Sequence, residues 1–194
     1  MFYEIYFQSS VERNDSDYVK IEPNLWIFSK ELKKWMVGQS KNQYENGIIC
    51  AEKIKTPEDP KSYKEWNLAG KNYDKTIKEI IKAIQLYFIP IVEIYKDKNT
   101  AINYLKENCG KYTKWTEKSL FPMSFMIYFG GKEAAEIFLK DFIETCTYKE
   151  RIINLYNELG KIKNKEEIDL KYAEFIGAEE IKLAYINGIR ILKK

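Results

Sequence analysis

The stretch DKTIKEIIKAIQLYFIPIVEIY, Asp74 to Tyr95, decides how the chain is read, because the hydrophobic period changes there. Ile77, Ile80, Ile81, Ile84 and Leu86 to Phe88 recur at the three- and four-residue spacing of one helical face. Pro90 falls within this stripe. Its ring removes a backbone donor and crowds the preceding turn, so a kink or an end is expected near Phe88. Ile91 to Tyr95 then continues the helix or opens a short second one.

Towards the N-terminus the pattern is that of strands. Residues 2–8 are aromatic and β-branched, with Tyr3, Ile5 and Phe7 on one side of a period-two alternation. Ser9 to Asp17 is polar and reads as a loop. Tyr18 to Phe28 returns to strand composition, and Pro23 within it implies a bulge or an edge position, since proline cannot donate to a ladder. Phe28, Leu32, Trp35 and Met36 have helical spacing, so Ser29 to Met36 is a short helix or a further strand. Gly47 to Ile54 is a short strand, and Thr56 to Lys71, with Pro57 and Pro60, is a loop or linker.

Towards the C-terminus helices continue. Asn99 or Thr100 is expected to cap a helix through Asn108, with Gly110 at its end. Ser119 to Phe129 is nearly all apolar and reads as a buried helix with Pro122 in its first turn. Gly130-Gly131 turns into a helix from Lys132 to Thr145. Thr147 to Glu150 has the pattern of a capping box, opening a helix that ends at Gly160. Asn164 to Lys193 holds the final helix or helices, broken at Gly177, with Ile168, Tyr172, Phe175, Ile181, Ala184 and Ile189 inward. The expected fold is therefore α+β: a small N-terminal antiparallel sheet followed by a bundle of about six helices. It forms one domain over residues 1–194, with 1–72 mainly strands and loops and 73–194 mainly helical.

Composition excludes more chemistry than it suggests. The chain has no histidine in 194 residues, so no Ser-His-Asp triad, Cys-His dyad or histidine metal site is available. Cys50, Cys109 and Cys146 are odd in number and form no C-x-x-C pair, which argues against a disulfide framework or zinc ribbon. Lys and Arg number 32 against 29 Asp and Glu, a net charge of only +3, and the arginines are Arg13, Arg151 and Arg190 alone. A nucleic-acid reader carries a stronger basic excess and more Arg, so nucleic acid is not an expected partner. The apolar runs Leu86 to Tyr95 and Leu120 to Phe129 are shorter than the ~20 residues that span a bilayer. No signal peptide is read at the N-terminus, where Glu4 interrupts the apolar run. The expectation is a cytoplasmic protein without membrane, metal or cofactor.

Few motifs carry chemistry. Gly130-Gly131-Lys132 before a helix suggests an anion site, but the full phosphate loop needs glycine at position 126 and Ser or Thr at 133. The chain has Met126 and Glu133 there, so the turn reads as a plain connection. Asp141 and Glu144 at i, i+3 read as a solvated helix face. Glu93, flanked by Ile91, Val92 and Ile94, is either a carboxylate sheltered in a cleft or a surface group paired with Lys96 or Lys98. Trp35, Trp66 and Trp115 sit in lysine-rich contexts, and Glu12, Asp15 and Asp17 make the first loop acidic. Tryptophans of this kind serve as anchors at protein interfaces. These six residues are the candidate partner-binding set.

The run Ile80-Ile-Lys-Ala-Ile-Gln-Leu-Tyr-Phe-Ile-Pro90-Ile-Val-Glu93-Ile-Tyr, followed by Ala101-Ile-Asn-Tyr-Leu105, resembles a bacterial domain-of-unknown-function family numbered 4304. Members carry a helix ending in a Gly-Leu-Pro-like kink, then an acidic residue and a short leucine-containing helix. Tyr87-Phe88-Ile89 stands here in place of the Gly-Leu before the proline. The N-terminal strands and the Phe129-Gly-Gly-Lys-Glu-Ala-Ala135 helical turn are compatible with such a domain, and with them the resemblance covers about half the chain. It implies an α+β fold without established catalysis, and by analogy an immunity protein of an interbacterial toxin system. The functional expectation is a non-catalytic cytosolic protein, a monomer or weak dimer, that neutralises a cognate bacterial toxin by direct binding. The alternative is a histidine-free ligand-binding protein or enzyme using carboxylate, Lys and Tyr groups around Glu93.

Overall fold

A computed structural model describes residues 1–11, 18–39, 47–56, 62–69, 72–108 and 122–192. Strand β1 (Phe2–Val11) pairs antiparallel with β2 (Val19–Phe28) along its whole length, from Phe2 opposite Phe28 to Val11 opposite Val19. The other edge of β2 is shared by two strands. β3 (Ile48–Lys53) takes Asn24 to Phe28, and β4 (Trp66–Asn67) takes Lys20 and Ile21. Pro23 lies between these two pairings, where β2 needs no donor on that edge. No bulge forms there. The irregularity falls instead between Ile27 and Phe28.

α1 (Lys30–Met36) follows β2 directly. Ser29 caps it, its hydroxyl accepting from the Leu32 N–H at 3.2 Å. Gly47 is needed where β3 begins beside this cap. A Cβ at Gly47 would stand 2.5 Å from the Ser29 carbonyl oxygen and 2.8 Å from Lys33 Cβ, so only glycine permits the crossing.

Among the described residues six α-helices follow the sheet: α2 (Tyr73–Lys96), α3 (Lys98–Asn108), α4 (Met123–Phe125), α5 (Gly131–Thr145), α6 (Lys149–Leu159) and α7 (Ala178–Ile186). The fold is thus α+β, as the change of period at Asp74 implies. Met126–Gly130 forms a π turn between α4 and α5. Gly131 leaves it at φ 75° and ψ 179°, a region closed to side-chain-bearing residues, and so makes the expected turn.

Several local expectations are corrected. Of the alternatives left open at Pro90, the continuous helix is the one formed: α2 runs through the proline to Lys96. Pro90 and the residue whose carbonyl it leaves unbonded, Leu86, both face solvent, where water replaces the lost bond. Leu86, Ile77 and Ile81 are exposed, while Ile80, Phe88, Ile91 and Tyr95 form the buried stripe. α3 is capped by Asp97, which accepts from the Thr100 N–H at 2.8 Å, rather than by Asn99 or Thr100. The capping box at Thr147 is not formed, because α6 opens two residues later with Tyr148 at its N-cap. Residues 168–177 are not helical, and Tyr172 is exposed rather than inward. β4 lies within the expected loop. Gly110 and residues 119–121 lie outside the described residues.

One core cluster joins both halves. It runs from Leu25, Ile27 and Cys50 on the inner face of the sheet through Phe88 and Tyr95 of α2 to Phe125, Phe138, Phe142 and Ile181. Burying each large apolar side chain contributes about 1.5–3 kcal/mol, so this cluster dominates the stability of the fold.

Candidate functional site

Alternation along β1 and β2 gives the sheet two unlike faces. Tyr3, Ile5 and Phe7 share a face with Leu25 and Ile27, turned to the helices, and the Tyr3 hydroxyl donates to the Tyr95 carbonyl at 2.8 Å. Phe2, Tyr6, Trp26 and Phe28 stand on the opposite face. Phe2 stacks on Phe28 with ring centroids 5.5 Å apart, and Tyr6 meets Trp26 edge-on at 5.3 Å. The Lys30 ammonium lies 4.5 Å from the Phe2 ring centroid. This aromatic strip grades into a charged end. Glu22 accepts from Lys20 at 2.7 Å and Lys53 at 2.9 Å, and Lys20 also pairs with Glu65. Those two hydrogen bonds hold the Glu22 carboxyl below its ordinary range.

Among the described residues no strand pairs with the outer edge of β1. Edge strands are usually blunted by lysine, proline or a bulge, so that unpaired N–H and C=O groups do not recruit another chain. β1 has none of these. Its ten residues keep one register, its single charge is Glu4, and Phe7 at its margin is 49% exposed.

The expected partner-binding residues do not gather on this face. Trp35 is half-buried on α1, where it packs at 5.3 Å against Tyr128 of the π turn. Trp66 is only 6% exposed and belongs to the core on β4, so it is not a free anchor. Glu12, Asp15, Asp17 and Trp115 lie outside the described residues. The aromatics that do converge, Phe2, Tyr6, Trp26 and Phe28, were legible as alternate positions of two strands, but their partnership depends on the pairing register.

Glu93 is on the solvent side of α2 with its side chain 55% exposed, and its carboxylate pairs with Lys96 at 2.5 Å. A sheltered carboxylate around which a ligand site might be built is found elsewhere. Glu52, opposite Leu25 on β3, faces the helices. Burial raises its pKa to about 8, opposed by the charge of Lys55. Nearby, burial also lifts the Cys50 thiol well up and the Tyr104 phenol to about 12, with Cys50 and Glu52 adding to the latter. The signal for Glu52 was its two-residue spacing from Cys50, which places both on one face of a strand.

Beside Glu52 a groove of about 240 Å³ opens between the β3–β4 side and α2. Ile54, Trp66, Ala83, Leu86 and Tyr87 form its apolar wall. Among its described lining residues, Lys55, Lys64 and Lys82 stand round it with Glu79 as the one carboxylate. A recess of about 10 Å³ lined by Glu52 shares Ile54, Lys55 and Tyr87 with the groove.

Among the described residues there is no group of three or more Cys, Asp or Glu placed to hold a metal ion, and no helix is long and apolar enough to cross a membrane. No protein-family model matches the chain, and neither a curated protein nor a solved structure is similar to it.

Proposed function

We propose that this chain is a binding protein that engages a protein partner through the aromatic outer face and free edge of its N-terminal sheet. The observation that carries this reading is the outer edge of the ten-residue β1 strand, which has no partner among the described residues, carries exposed Phe2 and Phe7 and holds no lysine, proline or bulge. An extended segment of a partner adding to such an edge gains main-chain hydrogen bonds, while aromatic pockets on the adjoining face select its side chains. A specific interface needs roughly 800 Å² per partner and a few aromatic anchors, which a sheet face of this composition supplies. In its finer form the reading is that of a cytoplasmic immunity protein, bound to a cognate bacterial toxin and blocking it without catalysis. The resemblance of Ile80 to Leu105 to family 4304 supports that form, and so does the absence of histidine. The ligand-site alternative around Glu93 loses its named residue, since that carboxylate is exposed and ion-paired.

The test is co-expression with the product of the neighbouring gene, followed by hydrogen exchange of the free and bound chain. A complex in which β1 amides are slowed at least tenfold supports the reading. A complex that leaves β1 exchange unchanged removes this surface from it. If no complex forms at micromolar concentrations of both proteins, the toxin-partner form is lost.

A further inference from the structure

The groove between β4 and α2 lies on the helix side of the sheet, away from the aromatic outer face, and its chemistry is of another kind. Its wall is apolar and its rim cationic. Among the described residues that line it, Lys55, Lys64 and Lys82 face one carboxylate, Glu79, and no ion pair joins any of the three to a described residue. That differs from Lys20, Lys53 and Lys96, whose ammonium groups are engaged by Glu22, Glu65 or Glu93. Lys64 is held over the wall by the Trp66 ring, 5.8 Å from its centroid, instead of extending into solvent. Leu86 is 60% exposed at the lip, an apolar cost in water that a bound apolar group would relieve.

We propose that this groove binds a small amphipathic anion, an aromatic monocarboxylate, with its ring against Trp66, Tyr87 and Leu86 and its carboxylate among Lys55, Lys64 and Lys82. The volume supports a ligand of one or two fused rings, since a pocket of about 240 Å³ lies below the range of about 300–1,000 Å³ typical of drug-sized ligands. The apolar wall supplies area-dependent affinity without direction, and the lysines supply the selection for negative charge. Glu52 sits behind the wall in a recess with room for at most one water, so it bounds the site without entering it. This inference stands apart from the partner-binding surface and survives or fails independently of it.

The experiment uses 1-naphthoate and its neutral isostere 1-naphthamide as probes on the full chain, by calorimetry and by proton–nitrogen correlation spectra. Naphthoate is expected to bind at least tenfold tighter than naphthamide and to shift the Trp66 indole N–H. Replacing two of the three rim lysines, Lys64→Gln with Lys82→Gln, should weaken naphthoate about tenfold and naphthamide less than twofold, because two charge contacts of modest individual strength are lost. Lys82 is exposed and Lys64 is half-buried, and an unchanged melting temperature shows that the variant remains folded. Leu86→Glu, also at an exposed position, should abolish naphthoate binding by repulsion at the lip. The proposal is overturned if the two probes bind within twofold of each other, if neither binds at millimolar concentration, or if naphthoate leaves the Trp66 resonance unmoved.

Discussion

The outer face of the sheet and the C-terminal helical half handle polar groups in opposite ways. In the sheet the ladder satisfies the backbone, so the side chains of Phe2, Tyr6 and Trp26 are free to form a surface. In the helical half the chain between α6 and its end is largely irregular, and its carbonyls need other partners. Buried charges supply them. The Lys182 ammonium, on α7, donates to the Asp169 carbonyl at 3.0 Å and the Tyr172 carbonyl at 2.5 Å, and pairs with Glu174 at 2.9 Å. Glu136 of α5, itself buried, accepts from the Arg190 N–H at 3.1 Å and from its guanidinium at 2.9 Å, fastening the last segment to the bundle. Regular backbone frees side chains for recognition, while irregular backbone consumes them.

The strongest way to break this contrast is Lys182→Met. The residue is only 3% exposed, and the variant leaves two carbonyls and Glu174 without their donor. A loss of about 3 kcal/mol is expected in chemical denaturation, with faster hydrogen exchange over residues 169–174. Lys161→Met removes a superficially similar pair, Lys161 with Glu158 at 2.6 Å, but one largely in water. Its loss should stay under about 0.5 kcal/mol. Equal effects from the two variants would mean that the irregular segment does not depend on the buried charge.

The two faces of the sheet should also respond to pH with opposite sign. Glu22, on the outer face, has its carboxyl lowered by Lys20 and Lys53. Its contribution is present above the unfolded value near 4.5 and is lost as pH falls through the lowered one. Glu52, on the inner face, has a folded value raised to about 8 by burial. Its neutral form is favourable below about 4.5, and stability declines as pH rises from there towards 8. Glu52→Gln should therefore change little at pH 4 and stabilise the protein by about 2 kcal/mol at pH 9, less than the full shift because Glu52 retains some solvent contact. Denaturation midpoints at the two pH values check this. A constant difference between wild type and variant would show that the Glu52 carboxyl is ionised in the folded state.

How much of this was legible follows from the range of each interaction. The change from period two to period 3.6 at Asp74 is a local signal with global consequence, and it placed sheet and helices in order. Gly130-Gly131 as a turn is equally local. Pro90 left two readings open because its effect depends on which side of the helix faces water, and Tyr172 misled because periodicity alone does not show where a helix stops. β4 has two residues, too few to carry a pattern. Lys182 was unreadable in principle, since three oxygens of a distant loop justify its burial. The outer aromatic strip was half legible: alternation put Phe2 and Tyr6 on one side, but only the register brings Phe28 and Trp26 beside them.

The smallest effect on stability is expected where the effect on association is greatest. Phe7 stands at the margin of β1, half in solvent and opposite Pro23, so Phe7→Lys removes little buried area and should change stability by less than about 0.5 kcal/mol. It also installs the charge by which edge strands ordinarily discourage pairing. Wild-type chain, with its edge free, should show weak concentration-dependent dimerisation in sedimentation velocity. The variant should remain monomeric over the same range and lose the β1 protection expected in a partner complex. The direction of the comparison matters here. A lysine at this edge silences association without loosening the fold only if the free edge is a recognition surface and the ladder behind it is self-sufficient. A variant that unfolds instead would place Phe7 among the supports of the sheet, and a variant that still dimerises would move the interface away from β1.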